Sequence, residues 1–247
     1  MPNLVIDAGN STIKIAVFKQ DEIVFSKIEK TFNQEFIEAI AHQYQCRNII
    51  LSSVRDGLNV NEAELALNFN YHRFSSESKI PVKNNYLSPK TLGLDRLAAV
   101  IGAHQIYKNK DVLVIDAGTC ITYDMINKEG IYYGGSISAG INMRLKAMHQ
   151  FTSKLPLVPF DESFDKNFGQ NSSEAILSGV LNGVWFEAKG FLEAQQTNNF
   201  NVILCGGDAP FFDTRFKNSI FAHLILHEPN LVLIGLNTVV KYQHDHN

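Results

Sequence analysis

Two Asp-Ala-Gly turns carry the residue types best suited to chemistry in this sequence. One lies in Leu4–Lys14, LVIDAGNSTIK, and the other in Val112–Asp124, VLVIDAGTCITYD. In each, an apolar run ends at the aspartate and a β-rich segment follows, which is the pattern of a strand, a tight turn and a returning strand. The glycine removes side-chain bulk so that backbone N–H groups can approach a phosphate, while the aspartate can handle a metal ion.

The repetition of this turn is more informative than either copy. A single Asp-Ala-Gly sequence is typical of an ordinary hairpin. Two copies about a hundred residues apart predict two related halves that face each other across one nucleotide.

A third candidate is the segment Gly93–Arg96, GLDR, which follows Tyr86 and leads into apolar residues at helical spacing. The spacing predicts that Asp95 and Arg96 lie in the first turn of a helix. An acidic residue there has an ordinary role, because it complements the helix dipole. The dipole does not favour arginine, so Arg96 beside Asp95 indicates a fork that can bind a carboxylate or a phosphate.

The hydrophobic periodicity of the chain predicts the elements that must position these motifs. The first half contains a three-stranded meander, a helix, a strand and a short helix: Leu4–Ile6, Ile13–Lys19, Glu22–Ile28, Gln34–Tyr44, Asn48–Val54 and Glu62–Leu67. The second half contains the 112–124 hairpin, then strands and helices: Gly130–Ser136, a helix from Ile141, a helix from the Asn171 capping box to about Glu193, Val202–Cys205 and Leu231–Tyr242. This order indicates an α/β fold with mixed sheets covered by helices.

Composition narrows the class of protein. The 247 residues carry a net charge of −3, which gives no field to attract nucleic acid or an anionic membrane surface. No apolar run reaches the length of a membrane span, and the first residues lack the pattern of a signal peptide. The three cysteines have no metal-ligand spacing and fit a reducing compartment. We therefore expect a cytoplasmic protein that binds neither nucleic acid nor membrane.

The motifs together resemble the actin-like ATPase superfamily and, within it, the type III pantothenate kinase family. The resemblance covers nearly the whole chain and rests on DAGNSTIK at the start, Tyr86-x-x-Pro89 before GLDR, DAGT at 116–119, GGSISAG at 134–140, the Asn171–Gly179 helix start and PNLVLIGL at 229–236. It implies two ribonuclease-H-like domains, at 1–110 and 111–247. The first would hold the phosphate loop and the pantothenate motif, and the second would supply cation and nucleotide contacts.

The resemblance also implies a role for each site residue. The ATP phosphate loop would be formed by Asp7, Ala8, Gly9, Asn10, Ser11, Thr12, Ile13 and Lys14. Thr119 would reach ATP from the second turn. Asp7 would lie near Mg²⁺ that arrives with ATP and would contact it through water. Asp116 matches the residue that holds a monovalent cation, K⁺ or NH₄⁺.

For the acceptor, the resemblance implies binding by Tyr86, Gly93, Leu94, Asp95, Arg96 and Ser172. Asp95 would also be catalytic, as the proton acceptor for the primary hydroxyl of pantothenate. Ser172 stands where the family usually has threonine, so it keeps the hydroxyl and lacks the methyl group.

The implied function is ATP-dependent phosphorylation of pantothenate to 4'-phosphopantothenate, the first step of coenzyme A biosynthesis. The family also implies a homodimer whose second subunit helps to close the pantothenate pocket, and helix residues such as Trp185 and Phe186 exceed what one buried face needs. Two alternatives stay open at this point. One is a non-catalytic regulatory relative of the Bvg accessory factor type, and the other is a kinase for a different small alcohol.

Overall fold

The first sheet begins with the predicted meander. The computed structural model describes residues 1–9, 11–55, 60–195 and 200–245, so Asn10 of the predicted phosphate loop lies outside the described residues. The strands of this sheet are β1 (Pro2–Ala8), β2 (Ile13–Lys19), β3 (Glu22–Glu29), β4 (Asn48–Ser53) and β5 (Asn70–Arg73). Their order is β3-β2-β1-β4-β5; β1, β2 and β3 pair antiparallel, and β4 and β5 continue parallel to β1.

The second sheet repeats this order. Its strands are β6 (Lys83–Asn84), β7 (Asp111–Ala117), β8 (Cys120–Ile126), β9 (Ile131–Ala139), β10 (Phe200–Cys205) and β11 (Ile225–His227). They run β11-β10-β7-β8-β9-β6, with β10 parallel to both β7 and β11. Apart from β6, each strand has its counterpart in the first sheet, so the two copies of Asp-Ala-Gly close equivalent hairpins. The repeat predicted from the two turns is confirmed.

Seven α-helices occur in the described part of the chain. They are α1 (Gln34–Gln43), α2 (Glu62–Asn68), α3 (Leu94–Ile106), α4 (Ile141–Gln150), α5 (Ser172–Glu193), α6 (Ala209–Lys217) and α7 (Leu231–Asp245). Three begin at an asparagine whose side chain accepts a hydrogen bond from the third residue after it, namely Asn33, Asn61 and Asn171. Such caps satisfy N–H groups that the first helical turn leaves without partners.

The contacts between Cα atoms divide the chain into two compact units. The first contains 1–109, 126–134 and 230–247, and the second contains 110–125 and 135–229. The predicted domain boundaries, 1–110 and 111–247, stay a prediction, and the compact units cut the chain differently. The C-terminal helix α7 belongs to the first unit because it packs on α3.

Each unit has its own core. In the first unit, one face of the sheet packs on α1 through Leu4, Ile6, Ile15, Ile37, Ala41 and Leu51. In the second, β7, β8 and β10 pack against α4, α5 and α6, with Trp185 edge-on to Phe216 at 4.7 Å between ring centroids. Trp185 is therefore partly buried against the core of the second unit, whereas Phe186, the next residue of α5, is 62% exposed.

A line of asparagine amides ties the C-terminal helix to the first sheet. Asn48 donates to Asn3, Asn3 donates to Asn237 on α7, and Asn237 donates to the Gln20 carbonyl oxygen, at 2.8, 2.9 and 2.9 Å. Asn3 and Asn237 are buried. Because buried amides must keep their hydrogen bonds, this line fixes where α7 meets the sheet.

The helices of the described residues all fall short of the requirements of a membrane span. None is both long enough and apolar enough to cross a bilayer.

Candidate active site

The first Asp-Ala-Gly turn places Asp7 opposite Lys14 at the end of the β1–β2 hairpin. The two residues are direct partners in the antiparallel register, and the Gly9 N–H closes the turn by donating to the Thr12 carbonyl oxygen at 3.0 Å. Both side chains are partly exposed. A carboxylate and an ammonium group thus occupy one open hairpin end, which is an arrangement able to handle a metal-bound phosphate.

Two neighbours of this turn come from β4 and from the segment that follows it. Ser52 aligns with Asp7 in the parallel register and is buried, and its hydroxyl has no hydrogen-bond partner among the described residues. Just beyond the strand, Arg55 donates from Nε to the Gly9 carbonyl oxygen at 2.5 Å. Sequence patterns predict a role for neither residue, because both are distant from the motif along the chain.

The second Asp-Ala-Gly turn packs against a glycine turn that follows β10. Asp116 is aligned with Cys205, and the Asp208 N–H donates to the Ala117 carbonyl oxygen at 2.9 Å. Gly206 has a φ of +90°, and a Cβ at this position would overlap both the Asp116 carboxylate and the Ala117 carbonyl oxygen. The glycine therefore leaves space that the Asp116 side chain uses.

Burial raises the pKa of the Asp208 carboxyl, with a smaller contribution from Glu162. The backbone hydrogen bond from Asp208 to Ala117 thus places a second acidic residue next to the Asp116 turn. The sequence predicts that Gly206-Gly207-Asp208 follows a strand. It does not predict that this segment contacts the turn at Asp116 and Ala117.

The opposite side of the 116–119 turn is held by the end of β9. The Gly140 N–H donates to the Thr119 carbonyl oxygen at 3.1 Å, and a Cβ at Gly140 would overlap that backbone. Arg144 donates to the Ala139 carbonyl oxygen at 2.8 Å and pairs with Glu187 of α5 at 2.5 Å. The Thr119 side chain itself is exposed, so its hydroxyl is open to a ligand.

The GLDR segment forms the start of α3, as predicted. Gly93 is the N-cap residue, and the Asp95 carboxylate accepts a hydrogen bond from the Arg96 N–H at 2.8 Å. A Cβ at Gly93 would lie 2.6 Å from the Asp95 carboxylate oxygen. The glycine is thus needed for the observed position of the acid.

Tyr86 joins this segment, and two further residues support it. The Arg96 guanidinium lies 5.8 Å from the centroid of the Tyr86 ring, within cation–π distance, and Arg96 is buried. The Tyr86 ring also stacks on the buried Tyr132 ring, with 6.3 Å between the ring centroids, and a Cβ at Gly134 would come within 2.9 Å of the Tyr86 ring. Tyr132 was not predicted, since its contact with Tyr86 arises only when β6 pairs with β9.

Ser172 is the first residue of α5 and is exposed. The preceding Asn171 caps the helix, and Glu174 accepts hydrogen bonds from Lys166 and from the Gln170 N–H at 2.8 and 2.9 Å. The capping-box prediction is correct for Asn171, while the glutamate returns to the N–H one residue earlier than the motif requires. The Lys166 hydrogen bond is the largest contribution that lowers the pKa of Glu174.

The described residues contain no cluster of three or more His, Cys, Asp or Glu side chains that could hold a metal ion. A magnesium ion that arrives with a nucleotide needs only one or two carboxylates, because phosphate and water supply the remaining ligands. Asp7, near the end of β1 and partly exposed, fits that requirement.

Comparison with solved structures identifies the fold. A ROK hexokinase from Thermus thermophilus superposes with a TM-score of 0.56 at 13% identity, and the match covers 100% of both chains. A Campylobacter jejuni protein described as a conserved Baf family transcriptional activator gives a TM-score of 0.62 at 23% identity, covering 98% of this chain and 99% of that one. At these identities the likeness shows the fold alone, which is that of the actin-like ATPases. The predicted fold class is confirmed.

Sequence comparison defines the family. The model of the family described as type III pantothenate kinase matches residues 3–194. The type III pantothenate kinase of Bacteroides fragilis (strain YCH46) is 41% identical over 246 residues, which are 97% of this chain and 98% of that protein. The chain therefore belongs to the type III pantothenate kinase family and is a kinase. The family predicted from the motifs is confirmed.

Proposed function

We propose that the two Asp-Ala-Gly turns and the Tyr86–Arg96 segment together carry out the ATP-dependent phosphorylation of pantothenate, the first step of coenzyme A biosynthesis. The reaction follows from membership of the family. The roles of the residues are our proposal, supported by the local geometry of each turn.

Residues 7–14 bind the ATP phosphates, with Lys14 as a point charge and Asp7 next to water-bound Mg²⁺. The observation that carries this assignment is the direct pairing of Asp7 with Lys14 at an open hairpin end. Thr119 contacts ATP from the other turn. Mg²⁺, when bound with ATP, neutralises phosphate charge during transfer.

Asp116 holds a monovalent cation, K⁺ or NH₄⁺. A carboxylate next to phosphates is repelled unless a cation lies between them. The support for this role is the position of the Asp116 carboxylate, which the absence of a Cβ at Gly206 makes possible.

Pantothenate binds at Tyr86, Gly93, Leu94, Asp95 and Arg96, with Ser172 as a further contact. Arg96 supplies a guanidinium for the pantothenate carboxylate, and its cation–π contact with Tyr86 restricts its orientation. The primary hydroxyl oxygen forms a bond to the γ-phosphorus while the bond to ADP breaks, and the hydroxyl proton passes to Asp95. Because the transition state is loose, a carboxylate that accepts the proton late is a sufficient base.

The proposal includes a homodimer in the cytoplasm. The outer face of α5 supports the dimer, because the exposed Phe186 is flanked by the exposed Gly179 and Gly190 at helical spacing. Small residues around one aromatic ring allow a second helix to approach closely.

The test is ATP-dependent phosphorylation of pantothenate by the purified protein, measured in K⁺, NH₄⁺ and Na⁺ salts of the same ionic strength. We expect turnover that depends on K⁺ or NH₄⁺. Equal turnover in all three salts would remove the cation from the proposal. Absence of turnover in every salt would favour a regulatory relative that keeps the fold without the activity.

A further inference from the structure

Arg55 connects three segments at the end of the first sheet. Its Nε donates to the Gly9 carbonyl oxygen at 2.5 Å, and its Nη1 donates to the Lys30 carbonyl oxygen at 3.2 Å. Gly9 lies in the β1–β2 turn, Lys30 follows β3, and Arg55 follows β4. One side chain therefore bonds to the backbone of two loops that the strands themselves do not join.

The backbone on either side of this contact is also ordered by hydrogen bonds. The Ser53 hydroxyl accepts from the Arg55 N–H at 2.9 Å and donates to the Arg55 carbonyl oxygen at 3.0 Å. The Val54 N–H donates to the Ala8 carbonyl oxygen at 3.2 Å. These bonds bring Arg55 to the Asp-Ala-Gly turn in a defined orientation, so its contact with Gly9 is part of a built arrangement.

The contact has an electrostatic consequence for a loop that binds phosphate. A carbonyl oxygen carries partial negative charge and would repel a phosphate that it faced. Bonding to a guanidinium fixes the direction of the Gly9 carbonyl and places a positive charge one hydrogen bond from the turn. Both effects favour an anion at residues 7–14.

We propose that Arg55 is a positioning residue for the nucleotide, which holds the phosphate turn in its binding conformation through the Gly9 carbonyl oxygen. This inference rests on the proposed assignment of residues 7–14 to the ATP phosphates. Substitution of Arg55 should therefore weaken the binding of ATP and leave the binding of pantothenate unchanged, because the residues proposed for pantothenate belong to a different segment, 86–96.

Arginine suits this role better than lysine. The planar guanidinium presents several N–H donors in fixed directions and can bond to the carbonyl oxygens of Gly9 and Lys30 at the same time. An ammonium group at the end of a flexible chain keeps the charge without that geometry. Arg55→Lys therefore separates the effect of charge from the effect of positioning.

The experiment measures steady-state turnover and calorimetric binding of a non-hydrolysable ATP analogue for Arg55→Gln, Arg55→Lys and the unaltered protein. We expect Arg55→Gln to raise KM for MgATP and the dissociation constant of the analogue by about tenfold to a hundredfold, as for loss of a charged hydrogen bond. For Arg55→Lys, both values should lie between those of Arg55→Gln and those of the unaltered protein. KM for pantothenate and kcat at saturating MgATP should stay within about threefold of the unaltered values.

Arg73→Gln is the matched control. Arg73 lies on β5 of the same sheet and donates to Glu62 at 3.0 Å, partly exposed to solvent. It tests the loss of an arginine side chain that contacts the start of α2 and not the phosphate turn, and we expect unchanged KM for MgATP. As a second measurement, methylguanidinium at millimolar concentration should partly restore ATP affinity to Arg55→Ala.

Lys14→Gln separates failure of this inference from failure of the proposed site. If Lys14→Gln weakens binding of the analogue and Arg55→Gln does not, the positioning role is wrong and the ATP assignment stands. If neither changes the binding, the assignment of residues 7–14 is wrong and the inference falls with it. Equal increases in both KM values, with a lower melting temperature and no rescue, would reduce Arg55 to a structural residue.

Discussion

Gly235 of α7 lies directly against the Ala98 carbonyl oxygen of α3, so that a Cβ on the glycine would overlap that oxygen. One turn away, a Cβ on Gly102 of α3 would overlap the Leu231 carbonyl oxygen of α7. The two helices therefore cross with glycine on each side of the contact. Because α3 begins at Leu94, immediately before the proposed base Asp95, the C-terminal helix supports the acceptor segment.

The crossing predicts the effect of Gly235→Ala. The added methyl group forces α7 away from α3, and overpacking of this kind costs about 1–3 kcal/mol of the free energy of unfolding. Urea unfolding measures the loss. Gly207→Ala is the control, because a Cβ at Gly207 meets no atom within 4 Å; if Gly235→Ala is as stable as this control, the helices do not cross as described.

A comparison of Asp95→Asn with Asp7→Asn distinguishes the two proposed roles, Asp95 as the base and Asp7 as the carboxylate near Mg²⁺. Asparagine keeps the size of the side chain, so Asp95→Asn should bind nucleotide normally and lose turnover by about a hundredfold, the lower end of general-base effects. Asp7→Asn should weaken magnesium-dependent nucleotide binding, and a higher magnesium concentration should partly restore that binding. Calorimetry with an ATP analogue and steady-state turnover measure the two effects. Wild-type turnover in Asp95→Asn would leave this residue as a helix-terminal acid only.

The cation site is tested by Asp116→Asn together with Gly206→Ala. The first removes the charge proposed to hold K⁺, so it should abolish the response of turnover to K⁺. The second keeps the charge and displaces the carboxylate, because a Cβ at Gly206 occupies its space. We expect about a tenfold to hundredfold higher half-saturating K⁺ concentration for Gly206→Ala, as for other changes behind a metal ligand. An unchanged K⁺ activation curve in Asp116→Asn would show that the cation binds elsewhere.

The pH dependence of stability follows from two histidines. Burial lowers the pKa of His72 below 6.5, and burial together with Lys108 lowers the pKa of His104 in the same direction. The Gln243 amide nitrogen, which can only donate, lies 3.0 Å from His72 Nε2, and the Ser78 hydroxyl lies 2.8 Å from the same nitrogen; the Gln243 contact favours an unprotonated Nε2.

The unfolded chain therefore binds protons below pH 6.5 that the folded chain does not bind. The free energy of unfolding should fall as the pH drops from 6.5 toward the lowered folded-state pKa values. Urea titrations at several pH values measure this slope. His72→Gln should reduce it, and a slope that the substitution leaves unchanged would exclude His72 as a source.

The homodimer is tested by Phe186→Asp. A charge at this exposed position of α5 should weaken association, because burying it against a second copy would require desolvation without a partner. Light scattering at micromolar concentration should show a dimer for the unaltered protein and a monomer for the variant. Phe168→Asp is the matched control, since Phe168 is 87% exposed in the segment before α5. If Phe168→Asp dissociates the dimer and Phe186→Asp does not, the interface lies outside α5.

Local pattern was sufficient for most elements of the fold. The meander, α1, α3, the second hairpin, α5 and α7 were predicted because each is long, periodic or bounded by a cap or turn residue. Strands β5, β6 and β11 were not, since they have four, two and three residues. Helix α6 was also missed, because its buried phenylalanines follow two glycines and a proline that are typical of a loop.

The sequence by itself determined the family, the repeated turn and the residue types of the site, because these depend on short motifs whose order along the chain can be read directly. Tertiary structure decided which distant backbone supports each motif. Three such contacts join residues 46 or more positions apart: Arg55 with Gly9, Gly206 with Asp116, and Tyr132 with Tyr86. Such contacts arise from strand order and register, which side-chain periodicity along one segment does not specify.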